Sequence, residues 1–196
     1  MSGEIANGRS GNGPQARPGA GSLERLRELL REEGGLMATL VAPTPDATPP
    51  AVRESPARLA ARGPRAQGRR EEYELLVEAV YEGYLLHYAA PRVVHVAEAD
   101  LGLLAGDQLY AIGLARLVAL GDTAAVAELA DTITLSALAQ GAGDEPLAAA
   151  VWSAGARAVG WGVTAAHARA KDLVCAGDPE AIEAMRTSAT AAPASP

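Results

Sequence analysis

Apolar side chains recur along this chain with a helical period, and the breaks between them are marked by Gly-Asp and Pro signals. Leu23, Leu26, Leu29 and Leu30 form one stripe, which predicts a short helix over Leu23–Glu33, capped by Ser22 and stopped at Gly34-Gly35. Tyr73, Leu76, Val77, Val80, Tyr84 and His87 share a face of a second helix over Glu71–Tyr88, broken by Pro91. A third, capped by Asp100, runs through Leu101–Leu120 to Gly121. Asp122 caps a fourth over Thr123–Gln140. A fifth starts at Glu145 and continues to about Cys175, and Gly177-Asp178-Pro179-Glu180 opens a final short one. Strand signals are confined to the short patches Val93-Val94 and Ile133-Thr134. The pattern therefore predicts an all-α bundle of four or five helices over residues 71–186.

The third helix is apolar in nearly every direction, with Leu101, Leu103, Leu104, Leu109, Ile112, Leu114, Leu117, Val118 and Leu120 spread around its circumference. Such a helix is expected to be enclosed by others. Gly-Asp occurs four times, and three of the pairs punctuate helices. Gly106-Asp107 instead interrupts a continuing apolar period, so Gly106 is expected to permit a close helix approach and Asp107 to be buried. Tyr84 or Tyr88 is the expected hydrogen-bond donor to that carboxylate, and Tyr110 lies one turn away from it. Gly113 and Gly155 mark further sites of close approach, and Trp152 and Trp161 are candidate interface anchors.

Charge divides the 196 residues into two parts. Residues 1–70 hold 11 Arg against 7 acids, net +4, whereas residues 71–196 hold 6 basic side chains against 17 acids, net −11. An acidic body does not suit a nucleic-acid partner, whose phosphates demand Lys and Arg. Residues 1–21 and 187–196 read as disordered tails, residues 22–41 as a docking helix, and residues 42–70, rich in Pro and Arg, as an extended linker. Glu74, Glu78 and Glu82 repeat every four residues, giving a stripe expected to face water or, alternatively, the linker's arginines. One cysteine, no export signal and no run of about 18 apolar residues lead to the expectation of a cytoplasmic protein with at most peripheral membrane association.

The chemistry legible in the sequence is sparse. His87, His95 and His167 are scattered and Cys175 stands alone, so no metal site is expected. No nucleophile motif, phosphate loop or dinucleotide fingerprint is present, and no catalytic residue is assigned.

The segment Leu104-Ala105-Gly106-Asp107-Gln108-Leu109 resembles the Leu-Ala-Gly-Asp-x-Leu helix of the trans-isoprenyl diphosphate synthases, and the resemblance extends over about Tyr73–Gln140. It implies part of the all-α isoprenoid synthase fold. Catalytic members of that family carry paired aspartates one helix upstream that hold Mg²⁺ and diphosphate. Here the corresponding stretch offers only Glu78 and Glu82, the chain has no Asp-Asp, and Lys171 is its one lysine. The pattern is most similar to the non-catalytic small subunit, component I, of heptaprenyl diphosphate synthases. That resemblance implies a helical catalytic partner supplying the Mg²⁺ site, with no cofactor held by this chain. The alternative reading is a helical scaffold or regulatory protein, possibly a homodimer, without prenyl chemistry.

Overall fold

The computed structural model describes residues 21–43 and 55–191. Residues 1–20 and 192–196 of the tails expected at 1–21 and 187–196, and residues 44–54 of the expected linker, lie outside the described residues. The described part is all-α: α1 (Ser22–Glu33), α2 (Gly35–Leu40), α3 (Pro56–Ala61), α4 (Arg70–Tyr88), α5 (Ala99–Ala119), α6 (Thr123–Gly141), α7 (Glu145–Trp161), α8 (Ala165–Ala176) and α9 (Ala181–Thr190). Its one β-type pairing is an isolated bridge between Val41 and Val94.

Three of the Gly-Asp signals act as expected. Asp122 accepts a hydrogen bond from the Ala125 N–H (3.0 Å), and Asp144 accepts one from the Leu147 N–H (2.9 Å). Gly177 adopts the left-handed conformation that ends α8. Two expected caps do not form, because Ser22 and Asp100 lie inside the first turns of their helices, where Gly21 and Glu98 hold the cap positions. The long helix expected over Glu145 to Cys175 is two helices. Gly162, at φ +92°, breaks it after Trp161, and Thr164 recaps α8 by accepting from the His167 N–H. The short C-terminal helix also runs further than expected, to Thr190.

The helix enclosed by others is α4, and the expectation that α5 holds that place is corrected. Tyr73, Val77, Glu78, Val80, Glu82 and Tyr84 of α4 are buried on several sides of the helix. Against it α5 buries a side made largely of small residues, Gly102, Ala105, Gly106, Leu109 and Gly113. A Cβ at Gly106 would lie 2.6 Å from the His87 ring and 3.0 Å from the Gly83 carbonyl oxygen, so the expected close approach is real. The opposite side of α5 is bare: Leu103, Leu104 and Val118 are 45, 62 and 56% exposed. A period that is apolar in all directions gives no information about which direction is covered, and here backbone proximity selects the glycine side. By length and hydropathy α5 would suffice to cross a membrane, although 39% of its most apolar window is buried within the fold.

Three apolar clusters hold the helices together. One joins α3, α4, α6 and α7 through Ala60, Tyr73, Val77, Val80, Leu129, Trp152 and Val159. A second fixes α1 and α2 to α4 and α5 through Leu26, Leu30, Met37, Ala79, Leu109 and Ile112. The third gathers α6 to α9 around Leu135, Val151, Ala170, Val174 and Met185. The N-terminal helix thus docks on its own chain. Arg25 also reaches Glu74 at 2.9 Å, and Arg27 donates to the Arg92 carbonyl at 3.0 Å.

Residues 55–70, expected to be extended linker, form α3 and a 3₁₀ turn at Pro64–Ala66. The reason is local. Ala57, Ala60, Ala61 and Ala66 are buried, and their small side chains let the segment lie directly on α7. A Cβ at Gly63 would lie 2.1 Å from the Gly160 carbonyl oxygen, and one at Gly160 would lie 2.5 Å from that of Ala60.

Candidate functional site

Asp107 is on the surface with 70% of its side chain exposed, which corrects the expectation of a buried carboxylate. Its Oδ1 lies 3.2 Å from Nε2 of His87 without forming a hydrogen bond. The polar tip points into solvent because Gly106, its neighbour, faces α4. The expected hydrogen bond from Tyr84 goes elsewhere: the Tyr84 hydroxyl accepts from Gln140 Nε2 at 2.6 Å.

The residues singled out around Asp107 nevertheless come together. His87 stacks flat on Tyr110 (centroids 5.4 Å, planes 1° apart), and its ring is 5.8 Å from that of Tyr88. Tyr84 joins Tyr88 at 5.4 Å and Trp152 at 5.2 Å, while Tyr81 meets Trp152 edge-on at 4.9 Å. The result is an aromatic row running from the core, at Trp152, to the surface, at Tyr88, which is 43% exposed. Burial pushes the Tyr110 phenol up, with the nearby Tyr88 and Asp107 adding to the effect. Burial likewise raises Tyr84; its hydrogen bond with Gln140 opposes the rise, and the charge of Glu145 adds to it. Asp107 lies beside His87 on this row, and Glu145 opens α7 just after the turn that follows Gln140, the partner of Tyr84.

Glu78 and Glu82, expected to face water or a cation, are 1% and 0% exposed and both grip Arg92. Arg92 Nη2 lies 2.6 Å from Glu78 Oε1, and its Nε lies 3.1 Å from Glu82 Oε2. Glu82 Oε1 also accepts the backbone N–H groups of Arg92, Val93 and Val94 at 2.6, 2.6 and 3.3 Å. Ser55 Oγ donates to Glu78 Oε2 at 3.1 Å. Of the expected linker, Arg58 lies 3.6 Å from Glu74 at the outer end of this stripe. These carboxylates fold the Pro91–Val94 crossover onto α4, and they leave no open pair of oxygens for a metal ion.

The candidate interface residues are used internally. Gly113 admits Val80, Gly155 admits Thr132, and Trp152 is 2% exposed. Trp161 is half-buried under the Arg157 guanidinium, 4.0 Å from its ring centroid. Beside them is a cleft of about 10 Å³, room for about one water.

The sequence reading missed a buried charged cluster. Glu128 Oε1 lies 2.5 Å from His167 Nε2, and its Oε2 accepts from Lys171 Nζ at 2.9 Å. His167 Nδ1 is 3.1 Å from Ser188 Oγ, and Lys171 also reaches Asp131 at 2.7 Å. The signal was complementary spacing, with acids at 128 and 131 of one helix and His167 and Lys171 four apart on another. Burial works against the Lys171 ammonium, but its hydrogen bonds to Asp131 and Glu128, reinforced by their charges, hold it above its ordinary value. Glu128, His167 and Ser188 are 3 to 5% exposed, so the cluster ties α6, α8 and α9 together. Among the described residues no group of three or more His, Cys, Asp or Glu is placed to hold a metal ion.

The fold and site define an all-α helical protein with an enclosed helix, α4, and a half-covered one, α5, packed against it. No family model, curated protein or solved structure matches the chain.

Proposed function

We propose that this chain is a non-catalytic accessory subunit of a heteromeric polyprenyl diphosphate synthase, working in the cytoplasm in isoprenoid or quinone side-chain synthesis. It completes a helical bundle related to part of the isoprenoid synthase fold with an Asp-rich catalytic partner, which supplies the Mg²⁺ ligands. The observation that carries this reading is α5, a helix with a resemblance to that family, half of whose apolar circumference is left without cover by its own chain. An exposed apolar helix face of that kind marks a protein contact. The engagement of Glu78 and Glu82 by Arg92 supports an accessory rather than a catalytic role.

The test is to mix the purified chain with an Asp-rich prenyl synthase subunit from the same source. Chain elongation of an allylic diphosphate is expected only from the mixture, together with co-elution of the two chains. Elongation by this chain alone, or a partner indifferent to it, overturns the reading.

A further inference from the structure

We propose that the end of the molecule formed by Tyr88, Leu103 and Leu104, flanked by Asp107 and Glu145, receives an apolar helix of a partner chain whose edges carry Arg or Lys. The proposal rests on the reading of this chain as a docking subunit and names the surface and the chemistry of the partner; it does not depend on what reaction the partner catalyses.

Three observations converge there. First, the first turns of α5 lie beside the last turn of α4, since Gly102 faces the Leu86 carbonyl and Gly106 faces Gly83 and His87. Tyr88, Leu103 and Leu104, all more than 40% exposed, therefore belong to one end of the helix pair. Second, the Tyr88 ring is held by Tyr84 and His87 beneath it, so it is an anchored aromatic face open to solvent. Such faces dominate binding energy and attract guanidinium groups. Third, this end carries exposed carboxylates: Glu98 and Asp100 at the start of α5, Asp107 one turn beyond Leu103, and Glu145 at the start of α7, just after the turn that follows Gln140, the partner of Tyr84. An apolar patch with an acidic rim is complementary to an apolar patch with a basic rim. A second copy of this chain would set carboxylates against carboxylates, and an anionic lipid surface would meet the same repulsion.

The experiment uses the full chain and two fluorescein-labelled amphipathic peptides of 18 residues, on the order of five helical turns. They share one leucine face and differ only in having Arg or Glu along its edges. Anisotropy titration at low salt is expected to show the Arg peptide binding at least about tenfold more tightly than the Glu peptide. The double change Asp107→Arg with Glu145→Arg is expected to reverse that order, and Tyr88→Ala and Leu104→Ser each to weaken the Arg peptide. All four positions are at the surface, and circular dichroism checks that each variant is folded. Equal affinity for the two peptides overturns the proposal. So does a dimer of this chain that Leu104→Ser dissolves, or co-sedimentation with phosphatidylcholine vesicles that the same change abolishes. Failure of the elongation test with the peptide preference intact removes the prenyl synthase reading alone. Elongation in the mixture with no peptide preference removes this surface alone.

Discussion

Glu82 and Arg92 are joined twice, once through the guanidinium Nε at 3.1 Å and once through the backbone N–H of Arg92 itself at 2.6 Å. The side chain of one residue thereby fixes both the charge and the backbone of the other. A carboxylate buried with this many donors is stable only while they remain.

Arg92→Met is accordingly expected to destabilise the fold by about 3–5 kcal/mol, because two carboxylates stay buried without their cation. Arg58→Met, which removes an exposed partner of Glu74, is expected to cost less than about 1 kcal/mol. Urea unfolding of the two variants measures the contrast.

Glycine substitutions should separate by what surrounds them. Gly106→Ala drives a methyl into His87 and the Gly83 carbonyl, at an expected cost of about 1–3 kcal/mol. Gly141→Ala enters open space near the end of α6 and is expected to be neutral or stabilising by up to about 1 kcal/mol. Thermal unfolding followed by circular dichroism decides between these outcomes.

Tyr73 donates a short hydrogen bond to Asp122, which also accepts from Arg65 at 2.6 Å. Burial, reinforced by the hydrogen bond to Asp122 and its charge, pushes the Tyr73 phenol from 10.0 up to about 12. A phenol raised on folding stabilises the fold while protonated, so its contribution is complete below pH 10 and is lost as pH climbs towards 12. Tyr73→Phe is expected to flatten that part of the alkaline unfolding curve by roughly 2 kcal/mol. For Asp122, burial is outweighed by hydrogen bonds from Tyr73, Ala125 and Arg65, and the carboxyl lies below its usual 3.8. Its contribution is therefore present above that value and fades in more acidic solution, which acid titrations of Asp122→Asn against the parent chain can follow.

Glu128 holds two basic side chains in the interior. Glu128→Ala is expected to cost about 3–5 kcal/mol, whereas Ser188→Ala, which removes one neutral partner of His167, is expected to cost about 1 kcal/mol. The first variant should also become more sensitive to proteolysis at the Gly162–Thr164 break, since α8 loses the buried part of its tie to α6 and keeps the exposed Lys171–Asp131 pair.

The legible parts of this fold were those written in local chemistry. Gly121-Asp122, Gly143-Asp144 and Gly177-Asp178 marked helix boundaries because a left-handed glycine and a capping carboxylate need only their neighbours in sequence. The close approach at Gly106 was legible for a different reason: a glycine inside a continuing apolar period marks where another backbone can come near. The destinations of charged residues were not. Whether Glu78 and Glu82 face water depends on Arg92, which arrives after a proline-broken turn, and a stripe of glutamates reads the same in either case. Asp107 illustrates the converse: an acid among leucines looks buried until the covered side of the helix is known. The joining of His87 to Tyr110 is tertiary, whereas Tyr84 and Tyr88 meet one turn apart on α4, a pairing that their spacing already allows.

Gly63 lies against the backbone of Gly160, and Gly160 against that of Ala60, so neither position has room for even a methyl group. This contact works as a gauge block between α7 and the segment that precedes α4. It sets their separation by backbone thickness alone, so sequence drift on one helix cannot be absorbed by repacking on the other. Neither position can gain a side chain unless a backbone moves with it.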